Sequence, residues 1–239
     1  MSLPSGVYGK FHLVLAEQES GRHAFGVLET TGWTPAMVAL DQMEKSANIQ
    51  VWHAELNDFL GTCIKFFGQT DDVQTALDAG MPVAEKLGGK PVSRMIPRLS
   101  EAARPGIDSQ VEFNPLIQQN VVHEPKSSSQ TQSLEPNKQA KQDNSEENSV
   151  PESQALGFIE TQGFTAVFQA IDTACKTAQV EVVGKEKLGG GYVTIVIQGD
   201  VAAVRAAIDA AVPAVGDLGN LIAAHVIARP SDAVLALLP

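Results

Sequence analysis

Apolar and polar positions follow the same order on both sides of a polar central stretch of this chain. In the second half, the alternating run ALGFIET predicts a strand, and TAVFQAIDTACKTA carries apolar residues at helical spacing, at Val167, Ile171 and Ala174. QVEVVGKEK and YVTIVIQG predict two more strands, and DVAAVRAAIDAAVPA predicts a helix with Asp200 as its N-cap. LIAAHVIA predicts a last strand before a short helix in SDAVLALL. This order of elements predicts an α+β fold of ferredoxin-like plan, a small antiparallel sheet with helices on one face.

The first half of the chain is a copy of the second. Setting AFGVLETTGWTPAMVALDQMEKSANIQVW over ALGFIETQGFTAVFQAIDTACKTAQVEVV aligns residue 24 with residue 155, an offset of 155 − 24 = 131. The same offset aligns VQTALDAGMP with VRAAIDAAVP, and Arg98 with Arg229. We therefore predict two domains, 24–104 and 155–239, and an N-terminal extension, 1–23, in which KFHLVLAE alternates like a short strand outside either core.

Residues 105–154 differ from both copies in composition. Ser, Gln, Asn, Glu and Pro dominate there, most purely after residue 122, which predicts a disordered acidic linker instead of a third domain. One stretch inside it, VEFNPLIQQNVV at 111–122, is apolar enough to dock on a folded neighbour. A floppy segment is the alternative.

Charge and cysteine content narrow the function. The 239 residues carry a formal net charge of −11, which argues against a nucleic-acid binder because little would neutralise a phosphate backbone. The apolar runs are far shorter than the roughly 20 residues that span a bilayer. The two cysteines, Cys63 and Cys175, have no CxxC spacing, so we expect a cytosolic protein in a reducing compartment.

Three consecutive glycines follow a lysine in KEKLGGGYVTIVIQGD, residues 185–200. A phosphate-binding glycine loop leads from a strand into a helix, whereas these glycines lead into a strand, and no GxGxxG or GxxxxGK[ST] motif is present. A plain hairpin turn beside a solvated Lys187 is the simple interpretation. No catalytic triad, paired acids or HExxH occurs, and His225 fits a core or interface role, so we expect neither an enzyme nor a bound cofactor.

The second copy resembles the bacterial microcompartment shell proteins. The resemblance rests on ALGFIETQGF, DTACKTAQVEVVGKEKLGGGYVTIVIQGDVAAVRAAIDAA and LIAAHVIARPSDAVLALLP in combination, and the internal repeat extends it to the first copy. Two such domains in one chain resemble the tandem shell proteins. That resemblance implies two BMC-type domains, standard or permuted, and homotrimers that mimic the hexamers of single-domain relatives.

The resemblance also implies a function and partners. The function would be a structural shell protein of a carboxysome or metabolosome in the bacterial cytoplasm, a six-sided tile whose central pore passes small metabolites. Its partners would be itself, other shell proteins and, through the linker, encapsulated enzymes. The alternative that we retain is a regulatory ligand-binding protein of ferredoxin-like plan that binds a small anion at the glycine turns.

The family places the pore at the glycine turn and its counterpart in the first copy. Exposed backbone N–H groups with a nearby ammonium would make a small electropositive opening for anions. At the offset of 131, Lys187 aligns with Leu56, so half of the loops would be bulkier and less cationic, and Phe59 would either plug the opening or fold onto its own core. The predicted pore residues are Lys187, Leu188, Gly189, Gly190, Gly191, Asp58, Phe59 and Leu60.

Tile edges form a second predicted constellation. A lysine stands four residues after an aspartate in each copy, so each pair can meet on one helical face, and an ordinary surface ion pair is the alternative. In the family, the lysine and a following arginine lie at edges between tiles. The predicted edge residues are Lys45, Lys176, Arg98, Arg229, Asp41 and Asp172. Cys63 follows the first pore loop; three copies could hold an iron–sulfur cluster, but a buried strand cysteine is the expectation, and we predict no metal.

Overall fold

The structure is a computed structural model that describes residues 23–57, 60–126 and 154–239. The predicted strand in KFHLVLAE, the predicted pore residues Asp58 and Phe59, and residues 127–153 of the predicted linker lie outside the described residues.

The first domain has the predicted order of elements. Its bounds are β1 Ala24–Thr31, α1 Trp33–Ser46, β2 Ile49–Asn57, β3 Gly61–Gly68, α2 Thr70–Lys86 and β4 Val92–Ile96. The strands pair antiparallel in the order β4-β1-β3-β2, which is the ferredoxin-like arrangement. Apolar residues on one face of this sheet pack under α1 and α2.

The described segment after the first domain, up to residue 126, has little regular structure. It contains a 3₁₀ turn at Glu101–Gly106 and three two-residue strands, β5 Phe113–Asn114, β6 Gln119–Asn120 and β7 Val122–His123. β5 pairs with β6 in a small hairpin, and β7 adds to the free edge of β2.

The second domain repeats the plan of the first. Its bounds are β8 Ala155–Gln162, α3 Phe164–Thr177, β9 Glu181–Gly189, β10 Tyr192–Gly199, α4 Val201–Val215, β11 Asn220–Ile227 and the closing helix α5 Asp232–Ala236. The strand order is β11-β8-β10-β9, with antiparallel pairing throughout. Asp200 caps α4 as predicted, because its carboxylate accepts the Ala202 N–H at 2.8 Å. The predicted fold class is confirmed.

The prediction of a disordered linker is wrong for residues 107–126. The Lys65 ammonium, on the face of the first sheet away from its helices, donates to Glu55 and to the Ile107 carbonyl, each at 2.7 Å, and to Ser109 at 3.1 Å. Further along, Val122 is buried. A buried ammonium needs such partners, and the segment supplies two of them. The structure contains docking of the 111–122 stretch and not the floppy segment: the Leu56 N–H donates to the Val121 carbonyl at 2.8 Å.

Helices α1 and α3 occupy equivalent places but differ in burial. In α3 the buried residues form one stripe, Ala166, Val167, Ala170 and Ala174, which faces its own sheet. In α1 every residue from 33 to 41 is buried. The difference arises because the second sheet packs its other face onto α1, and Leu156, Phe158 and Val196 join the apolar cluster of the first domain.

Candidate functional site

The glycine triplet forms the tight turn between β9 and β10. Gly189, Gly190 and Gly191 all have positive φ, +87°, +54° and +83°, a conformation that side-chain-bearing residues rarely adopt. A Cβ on Gly190 would lie 2.7 Å from the Leu60 side chain, in the equivalent hairpin of the first domain. The tips of the two hairpins therefore touch within one chain.

Leu188 and Lys187 have different environments. Leu188 is buried in the apolar cluster shared by the two domains, and its place among the predicted pore residues stays a prediction. Lys187 is partly exposed. Its backbone is held by the Gln119 side chain, which accepts the Lys187 N–H at 3.1 Å and donates to the Lys187 carbonyl at 2.9 Å.

The docked segment also contacts the seam between the domains, which is the contact of α1 with the outer face of the second sheet. The amide of Gln119 donates to the buried carboxylate of Glu186, and His123 Nε2 lies 3.5 Å from the same carboxylate. The His123 ring meets the indole of Trp33 edge to face, with ring centroids 5.1 Å apart. Residues 119–123 therefore contact both domains: the backbone beside the glycine turn of the second domain and the first turn of α1 in the first domain.

A buried carboxylate joins the two domains. Glu160, at the end of β8, is fully buried and accepts two backbone N–H groups at the start of α1, from Trp33 at 3.0 Å and Thr34 at 2.8 Å. Burial raises the pKa of Glu160, and these hydrogen bonds oppose part of that rise. Gly32 permits the approach, because a Cβ there would lie 3.1 Å from both carboxylate oxygens. One domain therefore caps a helix of the other.

The other end of α1 also contacts the second domain. Asp41 accepts the Ser231 N–H at 2.9 Å, and Glu44 accepts the Ala233 N–H at 2.9 Å, at the start of α5. The Lys45 ammonium binds Asp41 at 2.6 Å and also donates to the Arg229 carbonyl. Lys45 and Arg229 therefore meet at the seam between the domains of one chain, a contact that sequence reasoning did not anticipate. Their role at a tile edge stays a prediction.

Among the described residues, the equivalent positions in α3 have no such partner. Phe164 and Phe168, the counterparts of the fully buried Trp33 and Met37, are 42% and 52% exposed. Asp172 and Lys176 form the predicted ion pair at 2.6 Å but are exposed. The acceptor that corresponds to Glu160 is Glu29, which accepts an N–H of the Asn57 side chain at 2.6 Å.

The segment that matches 229–233 lies at 98–102. Arg98 and Ser100, the counterparts of Arg229 and Ser231, have exposed side chains after β4. Over the described ranges, each half of the seam therefore has a counterpart in the other domain, and the two counterparts do not bind each other. The signal in the sequence was the ET pair that closes the first strand of each copy, which places a carboxylate at the end of an apolar run.

The remaining candidate groups form no cluster. Cys63 lies in β3, and burial raises the pKa of its thiol to about 11. His225 lies in β11, and burial lowers its pKa. Among the described residues, no group of three or more His, Cys, Asp or Glu side chains could hold a metal ion. Over the same ranges, no helix is long and apolar enough to cross a membrane.

Comparison with known proteins yields one family for both halves of the chain. The BMC domain family matches residues 24–98 and 155–230, which together are more than half of the chain. The bacterial microcompartment shell protein PduA of Citrobacter freundii is 47% identical over 88 residues, which cover 37% of this chain and 95% of that protein. The carboxysome shell protein CcmK2 of Synechocystis is 43% identical over 87 residues, 36% of this chain and 84% of that protein.

Two further matches were found. The bacterial microcompartment shell protein EutM of Escherichia coli is 47% identical over 77 residues, 32% of this chain and 79% of that protein. A crystal structure of a microcompartment protein from Desulfitobacterium hafniense, 21% identical, covers 88% of this chain and 97% of its own with a TM-score of 0.33, which is too low to bear on the arrangement of the domains.

The fold defines a class of protein with two ferredoxin-like domains in tandem. The two domains are joined by a buried seam, and the tips of their equivalent hairpins touch. Within that class the chain belongs to the BMC domain family, with one BMC domain on each side of residues 99–154.

Proposed function

We propose that this chain is a structural shell protein of a bacterial microcompartment, and that three copies form a six-domain tile with a central pore. The relatives PduA, EutM and CcmK2 are named as shell proteins of microcompartments and carboxysomes, which supports a structural and not an enzymatic role. Its partners are then further copies of itself and other shell proteins, in the shell within the bacterial cytoplasm.

The trimer is inferred from one observation: both surfaces that form the seam have counterparts in the other domain, and these counterparts do not bind each other within the chain. Within one chain, the outer face of the second sheet covers α1, and Glu160 caps that helix. The outer face of α3 and the outer face of the first sheet, where residues 107 and 109 bind Lys65, are the same two surfaces in the other copy, and they do not contact each other inside the chain. A head-to-tail contact between chains would join them, and three chains would close a ring.

The contacts between chains can be named from those inside the chain. Phe164 and Phe168 would pack against the outer sheet face of the next chain, as Trp33 and Met37 do within one chain. Glu29 would exchange its bond to Asn57 for the N–H groups at the start of α3. Asp172 would accept the Ser100 N–H of the next chain, as Asp41 accepts that of Ser231.

The pore would lie where the hairpin tips converge. Because Leu60 touches Gly190 within one chain, a ring would bring three pairs of tips to one axis. The opening would be lined by the positive-φ glycines 189–191, with Lys187 beside them, and by the hairpin that contains Leu60. Backbone N–H groups and ammonium groups at this axis favour small anionic metabolites.

Electron microscopy of the purified protein in negative stain tests the proposal. A shell tile should give six-sided particles, and at high protein concentration flat sheets or tubes. The retained alternative, a regulatory protein that binds a small anion at its glycine turns, should give isolated small oligomers without a six-sided outline, and that result would overturn the shell role.

A further inference from the structure

The β5–β6 hairpin, residues 113–120, presents large apolar side chains to solvent. Leu116 is 92% exposed and Phe113 is 59% exposed. The hairpin is well defined: Gln118, with a φ of +57°, donates its N–H to the Asn114 carbonyl at 2.8 Å, and Asn114 Oδ1 accepts the Leu116 N–H at 2.9 Å. Large apolar side chains held out by an ordered turn mark a surface that meets a partner.

The same hairpin is fixed beside the glycine turn. Gln119 holds both backbone groups of Lys187, and a Cβ on Gly189 would lie 3.9 Å from the Ile117 side chain. In any assembly, the β5–β6 hairpin must therefore stay next to the glycine turn between β9 and β10.

We propose that the β5–β6 hairpins of three chains pack together through Leu116 and Phe113, and that they close one mouth of the pore with an apolar cluster. This inference rests on the proposed ring, which places the three glycine turns at one axis. The occupant of each apolar tip is then the same tip of the two other chains. Within the ring, the effective concentration of each tip relative to the other two is far higher than the concentration of any free partner.

Spin labelling tests the contact in the full chain. A nitroxide on Leu116→Cys, in a Cys175→Ser background, should show dipolar broadening that disappears when labelled chains are diluted with unlabelled ones before assembly. The matched control is Leu235→Cys on α5, which packs on α1 of its own chain, so its three copies would lie at separate seams and give a sharp spectrum. Light scattering on each sample gives its mass.

The outcomes separate the two proposals. A sharp spectrum at position 116 in particles of three chains would overturn the apolar cluster and leave the ring intact. Particles of any other mass would remove the ring, and the cluster with it. Broadening confined to particles of six chains would also overturn the proposal, because it would indicate contact between two rings.

A second variant tests whether the cluster closes the pore. Leu116→Asp should keep the mass of three chains, because the hairpin tip does not belong to the seam. A sulfonated acylating reagent should then modify Lys187 several-fold faster, measured by mass spectrometry relative to Lys185, an exposed lysine on the same strand. An unchanged Lys187 to Lys185 ratio would mean that the hairpins do not close the opening.

Discussion

Replacing Phe168 by alanine should weaken the trimer and leave the single chain folded. The Phe168 side chain is 52% exposed, whereas its counterpart Met37 is fully buried in the seam. A phenylalanine buries about 150–250 Å², so the half that remains exposed is about 100 Å². At about 25 cal/mol per Å², and with part of the contact kept by alanine, the loss is about 2 kcal/mol for each interface.

A ring has three such interfaces, so its formation should lose about 6 kcal/mol, or about four powers of ten in the association constant. Because three chains combine in one step of mass action, the concentration at which the ring half dissociates should rise about 100-fold. Sedimentation or light scattering across a dilution series measures that concentration. Circular dichroism should report an unchanged fold, since the residue is half exposed in the chain itself.

Thr173→Ala is the matched control on the same helix. Its counterpart at the offset of 131 is Gln42, which stays exposed beside the seam of the first domain. Dissociation of this control should therefore match that of the unmodified protein. Equal shifts for both variants, or no shift for Phe168→Ala, would refute the argument that the seam repeats between chains.

Three further predictions concern titration and tile edges. Burial raises the pKa of Glu160, so the contribution of this side chain to stability is present below its unfolded pKa and is lost as pH rises through its folded pKa. The free energy of unfolding of Glu160→Gln, relative to that of the unmodified chain, should therefore rise over this pH interval. A difference that does not change with pH would contradict this. Burial, aided by Lys65, lowers the pKa of His53 from 6.5 to about 4, so about 3 kcal/mol of stability should be lost as pH falls across that range, a slope that denaturant titrations of His53→Gln should lack. Arg98→Ala and Arg229→Ala should preserve the trimer but reduce sheets in electron micrographs, since both side chains are exposed and neither takes part in the seam; failure to fold would show that they are not edge residues.

Much of the fold could be predicted because the repeat doubled every local signal. The strand ALGFIET and the helix that Asp200 caps carry alternation and capping that are decided within a few residues. The docking of residues 107–126 could not be predicted in the same way. It depends on Lys65, a charge on the outer face of a strand, whose partners in the docked segment lie more than 40 residues away along the chain.

The seam between the domains could not be predicted from the sequence either. Glu29 and Glu160 stand in the same ET motif, and nothing local distinguishes the carboxylate that caps a helix in its own chain from the one that does not. Likewise, the apolar residues of α1 and α3 read as equal helical stripes. Which of the two helices the second sheet covers depends on contacts between residues more than 120 positions apart, such as those of Glu160 with Trp33 and Thr34.

Native mass spectrometry of the purified protein tests the central claim most directly. If the seam inside one chain is repeated between chains, the chain of 25.3 kDa should assemble into particles of three times that mass, with no larger open series. A stable monomer at micromolar concentration, or a ladder of masses without a closed trimer, would contradict it.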